Sequence, residues 1–138
     1  MLEFLIEDIP PKKHGAKSMW DNETESKRIV SLRKKLFEKI KEPLKGFLKL
    51  NLFLYIPERE LEGIGDLDNF ITGVCDSLQK AHRSIEEFND IFERPENKNI
   101  HPKVSFIEND SKIITIMAKK EKTTKEKVYY KIILEEVI

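Results

Sequence analysis

The chain has 138 residues, 39% hydrophobic and 36% charged, with 25 basic and 25 acidic side chains. That length suits one domain, residues 1–138, with a modest core, and zero net charge excludes gross nonspecific attraction to nucleic acid. One cysteine, Cys75, excludes an internal disulfide and fits a reducing compartment. No basic start leads into an apolar run and no stretch nears the ~20 apolar residues of a membrane span, so the expectation is a cytoplasmic protein.

Residues 2–7 read as a short strand ended by Pro10 and Pro11. The basic loop that follows, Lys12-Lys13-His14-Gly15-Ala16-Lys17-Ser18-Met19-Trp20, mixes cations with an aromatic. Lys12, Lys13 and Lys17 suit phosphate contacts, and Trp20 serves either as a packing anchor or as a base-stacking surface. A helix is expected next. Asn22 is its N-cap with Glu25 three residues on, Ile29, Leu32, Leu36 and Ile40 repeat at helical spacing, and Pro43 and Gly46 close it. Residues 47–56 form the strongest strand, apolar enough to be central.

A second helix starts near Asp66–Asp68, with Leu67, Phe70, Ile71, Val74, Leu78, Ala81, Ile85 and Phe88 as its buried stripe and a pattern that extends to Phe92. Cys75 borders that stripe as a small buried side chain. Beyond a polar loop, Lys103–Ile107 and Lys112–Ala118 read as strands, and Val128–Ile138 as a closing strand that forms a hairpin with the one before it across the charged 119–127 turn. The fold class expected is α+β, with a mixed, largely antiparallel sheet of about five strands and two main helices.

Charge is unevenly placed. Residues 1–50 carry 12 basic and 8 acidic side chains, residues 51–110 carry 6 and 13, and residues 111–138 carry 7 and 4. An acidic middle between basic flanks is what a metal site beside a polyanion groove presents, and it is also within ordinary surface variation. Within that middle, Gly65-Asp66-Leu67-Asp68-Asn69 puts two acids at a helix mouth, and Asp110 heads a later strand. One Asp there is accounted for by capping. Two repel each other unless a cation compensates. Asp66, Asp68 and Asp110 are therefore the candidate ligands of a hard divalent ion. An EF-hand loop, zinc spacing among His14, His82 and His101, a P-loop and a Gly-x-Ser-x-Gly elbow are all missing.

The string from Gly65 to Leu78, Gly-Asp-Leu-Asp-Asn-Phe-Ile-Thr-Gly-Val-Cys-Asp-Ser-Leu, resembles the RusA family of Holliday-junction resolvases. Asp66, Asp68 and Asn69 match its Asp-x-Asp-Asn, Asp76 and Leu78 its following Asp-x-Leu, and Asp110 with Lys112-Ile113-Ile114 its later acid and strand. Lys119 or Lys120 falls near a basic position of the family, and Lys120 joins the DNA-binding candidates. The resemblance implies a magnesium-dependent endonuclease, with manganese an alternative ion. It further implies a homodimer that nicks four-way DNA junctions in recombination and repair, with Asn69, Thr72 and Asp76 supporting the three acids. Two features depart from the family's pattern. Thr72 stands where the family carries a lysine, and a family-atypical insertion covers about 83–104. A DNA-binding protein with reduced or lost cleavage, and a non-enzymatic interaction module, are the competing expectations.

Overall fold

The computed structural model describes residues 1–15 and 17–137. Ala16, in the basic loop, and Ile138, at the end of the expected closing strand, lie outside the described residues. The elements run β1 (Leu2–Ile6), α1 (Glu23–Lys39), β2 (Leu48–Pro57), α2 (Leu67–Leu78), β3 (Ile113–Thr123) and β4 (Tyr129–Glu136). Short 3-10 turns occupy Glu58–Glu60, Asp90–Glu93, Pro95–Ile100 and Asp110–Lys112. The fold is α+β, and its sheet has four strands in the order β1-β4-β2-β3.

β2 lies inside the sheet, and its alternate side chains form a continuous apolar row on one face. Leu48, Leu50, Leu52, Leu54 and Ile56 are fully buried, and each such aliphatic side chain stabilises the fold by about 1.5–3 kcal/mol. In register beside them stand Tyr130, Ile132 and Leu134 of β4, and beyond those Phe4 and Ile6 of β1. The opposite face of β2, with Lys49, Asn51, Phe53 and Tyr55, stays partly open. There Tyr55 stacks on Tyr129 at 4.7 Å.

The C-terminal strands do not form a hairpin. β2 lies between them, antiparallel to β4 and parallel to β3. Parallel pairing needs a long crossover, and the segment 58–112, with α2 in it, supplies one. The charged 124–128 linker only has to step across the end of β2.

Lys103–Ile107 is not a strand either, which leaves four strands instead of five. The amides of Phe106 and Ile107 both donate to the Leu78 carbonyl, at 2.8 and 3.2 Å. The same contacts explain why α2 stops at Leu78 and does not run toward Phe92: its last carbonyls already have partners, and Gln79 turns extended. Ala81, Ile85 and Phe88 continue the apolar pattern without the helix and pack against the core from irregular backbone.

Arg33 holds this region together. It is fully buried in α1 and donates to the carbonyls of Ser77, Gln79, Ile100, His101 and Val104 at 2.7–3.3 Å. Trp20 and Phe106 flank its guanidinium at 4.9 and 5.2 Å. Burial pulls its pKa down to about 9, so it remains charged at neutral pH. One side chain thus ties the end of α2 to the 83–104 segment, whose Phe92 and Ile100 join the core. Trp20 is a packing anchor, buried 5.9 Å from Phe92.

Candidate functional site

α2 carries the candidate site because its outer face is a row of oxygen-bearing side chains. Asp68, Thr72 and Asp76 recur every fourth residue and so share that face, while Phe70, Val74 and Leu78 point into the core. The basic loop crosses the helix beside this row. Lys13 N–H donates to the Asn69 carbonyl at 3.1 Å, and a Cβ on Gly73 would lie 2.2 Å from the Pro11 carbonyl oxygen. Only glycine admits the loop this close, and the close approach lays Lys12 and Lys13 along α2.

The N-terminal end of α2 gathers charge of both signs. Gly65 has φ +129, a conformation that favours glycine. A Cβ there would stand 2.9 Å from Lys12 Nζ, and Lys120 Nζ, from β3, donates to the Gly65 carbonyl. Asp66 occupies the N-cap position in extended conformation, yet its carboxylate makes no capping bond. Helix capping therefore does not account for it. The backbone carbonyl of Asp66 accepts from Asn69 and Phe70 instead. Both Asp66 and Asp68 are exposed. Thr72 donates its hydroxyl to the Asp68 carbonyl at 3.1 Å. Lys120 is held at the backbone next to Asp66. Lys112 lies over Phe47, and Lys80 belongs to the other end of α2.

Asp110 is at that other end. Its N–H donates to Gln79 Oε1 at 3.1 Å, and it shares a 330 Å³ cavity with Asp76, Gln79 and His82. Burial raises the Asp76 pKa, Lys13 opposes the rise and Asp110 adds to it. Burial, and after it Asp76 and Asp110, push the Cys75 thiol up to about 12. Asp68 and Asp76 stand eight residues apart, roughly 12 Å along the axis. Within one chain, then, Asp110 joins Asp76 and not the 66/68 pair, and no group of three acid, His or Cys side chains among the described residues is arranged to hold a metal ion. Asp66, Asp68 and Asp110 of one chain do not fit a single ion. Asp66 and Asp68 are left as the candidate pair at the start of α2, and one or two carboxylates are what magnesium commonly takes, its shell completed by water and substrate phosphate.

Beside Gly65 opens a cavity of about 580 Å³ lined by Lys12, His14, Glu25, Arg28 and Arg59. Glu25 is its buried anchor. One carboxylate oxygen accepts from Lys12 N–H at 2.9 Å, and the other meets His14 Nε2 at 2.6 Å and Arg28 Nη1 at 2.9 Å. The capping box is therefore half formed: Asn22 Oδ1 accepts from Glu25 N–H, but the Glu25 side chain fixes the basic loop instead of returning to Asn22. Lys17 stands exposed at the tip of that loop, its N–H on the His14 carbonyl. Sequence reading missed Arg33 and the anchoring role of Glu25. Arg33 had a signal, since Ile29, Val30, Leu36 and Phe37 surround its position one turn away on either side.

No protein-family model matches the chain, and no curated protein matches it. No helix among the described residues is long and apolar enough to cross a membrane.

Proposed function

We propose that the protein is a cytoplasmic, metal-dependent endodeoxyribonuclease that cleaves phosphodiester bonds in branched DNA, with the four-way junction as substrate and a homodimer as the working form. The observation that carries this reading is the uncommitted Asp66 carboxylate beside Asp68, with Lys12 and Lys120 brought against the same glycine from distant parts of the chain. Carboxylates and ammonium groups at one helix mouth suit a hard cation together with a phosphate.

Asp66 and Asp68 would hold magnesium or manganese, which when bound supplies Lewis-acid stabilisation of charge on the phosphoryl group. Lys12 and Lys120 hold the phosphate against the acids by charge. Lys13 and Lys17 extend the basic track along the loop. Glu25 keeps that track in place through Lys12 N–H and His14. Asn69 positions the loop through its backbone carbonyl.

The test is incubation of the purified protein with synthetic four-way junctions and magnesium. Nicks that vanish in Asp66→Asn support the reading, and absence of nicks with both magnesium and manganese refutes it. A second reading, a junction-binding protein with lost cleavage, is favoured by Thr72, which brings no charge and has its hydroxyl on the Asp68 carbonyl. Tight junction binding without nicks selects it.

A further inference from the structure

We propose that the cavity beside Gly65 is a nucleotide site. It takes one unstacked nucleotide of the bound strand, with the phosphate on Lys12, Arg28 and Arg59 and the base against Ile9 and Ile64. The strand as the source rests on the junction reading, and the site itself does not.

Three segments distant in sequence build the cavity: the basic loop after β1, the start of α1 and the 59–64 stretch that follows β2. Its volume of about 580 Å³ lies within the ~300–1,000 Å³ of small-molecule sites. Ile9 and Ile64 form its apolar wall, and Asn22 and Thr24 add neutral polar groups. A base taken out of its stack needs such a wall, because apolar contact offsets the cost of unstacking.

The charges favour an anion. Three permanent cations, Lys12, Arg28 and Arg59, face two carboxylates, Glu25 and Glu60. Glu25 is 1% exposed, and both its oxygens are occupied by Lys12 N–H, His14 and Arg28. It therefore serves to fix Arg28. The guanidinium uses one donor on Glu25 and keeps the rest of its planar fork for a second acceptor. Arg59 is placed as well, since its Nη2 donates to the Glu126 carbonyl at 2.8 Å. Two guanidiniums already held by protein acceptors suit a phosphate, which takes such forks bidentately and here orders little that is not ordered beforehand.

The position of the cavity selects the nucleotide. Gly63 and Ile64 line it, and Asp66 follows two residues later. Lys12 lines it too, and its Nζ lies 2.9 Å from where a Cβ on Gly65 would stand. The nucleotide held there is a neighbour of the phosphate at Asp66 and Asp68. A base inside a continuous duplex enters only by leaving its stack, whereas a branch point supplies bases for which that cost is lower. Arg28 and Arg59 thereby favour branched DNA over plain duplex.

Two measurements on the full chain in EDTA test this. The first is calorimetric titration with deoxyadenosine monophosphate, deoxyadenosine and inorganic phosphate. The monophosphate is expected to bind saturably, about tenfold tighter than either part and about tenfold more weakly to Arg59→Gln. The Arg59 side chain is 67% exposed, so this variant is expected to keep the wild-type circular dichroism. Lys98→Gln, on the exposed 83–104 surface, is expected to bind as wild type does. No saturable binding, or an affinity indifferent to Arg59→Gln, overturns the site. Inorganic phosphate or the nucleoside binding as tightly as the monophosphate overturns the nucleotide as its ligand. The second measurement places 2-aminopurine at the branch point of a four-way junction. Its fluorescence is expected to rise by about twofold or more on wild-type binding, as the base unstacks, and to stay flat with Arg59→Gln. No rise overturns the strand as the source, even where the monophosphate binds. A rise without nicks in magnesium or manganese leaves the cavity assigned and refutes the nuclease reading.

Discussion

Replacing Arg33 with methionine tests the structural basis of the site. The substitution keeps the apolar stem and removes every donor. Five carbonyls lose a partner, at Ser77, Gln79, Ile100, His101 and Val104. Those of Gln79, His101 and Val104 are in part-buried bonds and can turn to water, whereas the bonds to Ser77 and Ile100 are buried. A buried acceptor left without a partner costs about 1–3 kcal/mol. Against this, methionine escapes the desolvation of a buried cation, which offsets part of the loss. Two dry carbonyls together with the freed end of α2 give a net loss of about 3 kcal/mol. With a urea slope of about 2 kcal/mol per M, the unfolding midpoint falls by about 1.5 M. Hydrogen exchange is the second readout, and the amides of Phe106 and Ile107, held on Leu78, are expected to lose protection first. A midpoint within about 0.3 M of wild type would refute the reasoning, since it would mean that the carbonyls find other partners and the guanidinium ties nothing together.

Gly73→Ala places a methyl 2.2 Å from the Pro11 carbonyl oxygen. It is expected to cost about 2 kcal/mol or more by overpacking and to weaken junction binding by displacing Lys12 and Lys13, read by thermal unfolding and electrophoretic mobility. Asp76→Asn is expected to raise stability at neutral pH. A folded-state carboxyl pKa above its ordinary value means that the native state binds the proton more tightly, so the charged form destabilises the fold as pH rises from about 4 upward. The gain should disappear near pH 3.5 in paired urea titrations, and a gain that persists there would show that charge is not its cause. Glu25→Gln leaves His14 and Arg28 without their buried anion and is expected to cost about 2–4 kcal/mol and to raise protease sensitivity in the 12–17 loop. Lys120→Met is expected to lower the slope of log binding constant against log salt by about one phosphate contact, measured by fluorescence anisotropy on a labelled junction.

Much of the architecture was legible where the local pattern and the global fold agree. The helical stripe from Ile29 to Ile40, the Asn22 cap, the central position of β2 and the start of α2 at Asp66–Asp68 all follow from periodicity and capping chemistry that act within a few residues. The misread stretches share one physical feature: their backbone groups bond to distant partners. Residues 103–107 have strand-like composition, but the Phe106 and Ile107 amides are held by the Leu78 carbonyl. The apolar series through Phe88 has helical spacing, but Arg33 and the same two amides take the carbonyls that the next turn would need.

The order of elements along the chain, the two helices and the acidic helix mouth were set by the sequence itself, because burial patterns and caps are properties of neighbouring residues. Three things were settled only by tertiary structure: that β2 separates β3 from β4, that a buried arginine ends α2, and that Asp110 stands with Asp76 and apart from Asp66. Each depends on which distant backbone or charged group fills a given position. That choice is made by packing the whole chain, through contacts whose partners lie tens of residues apart.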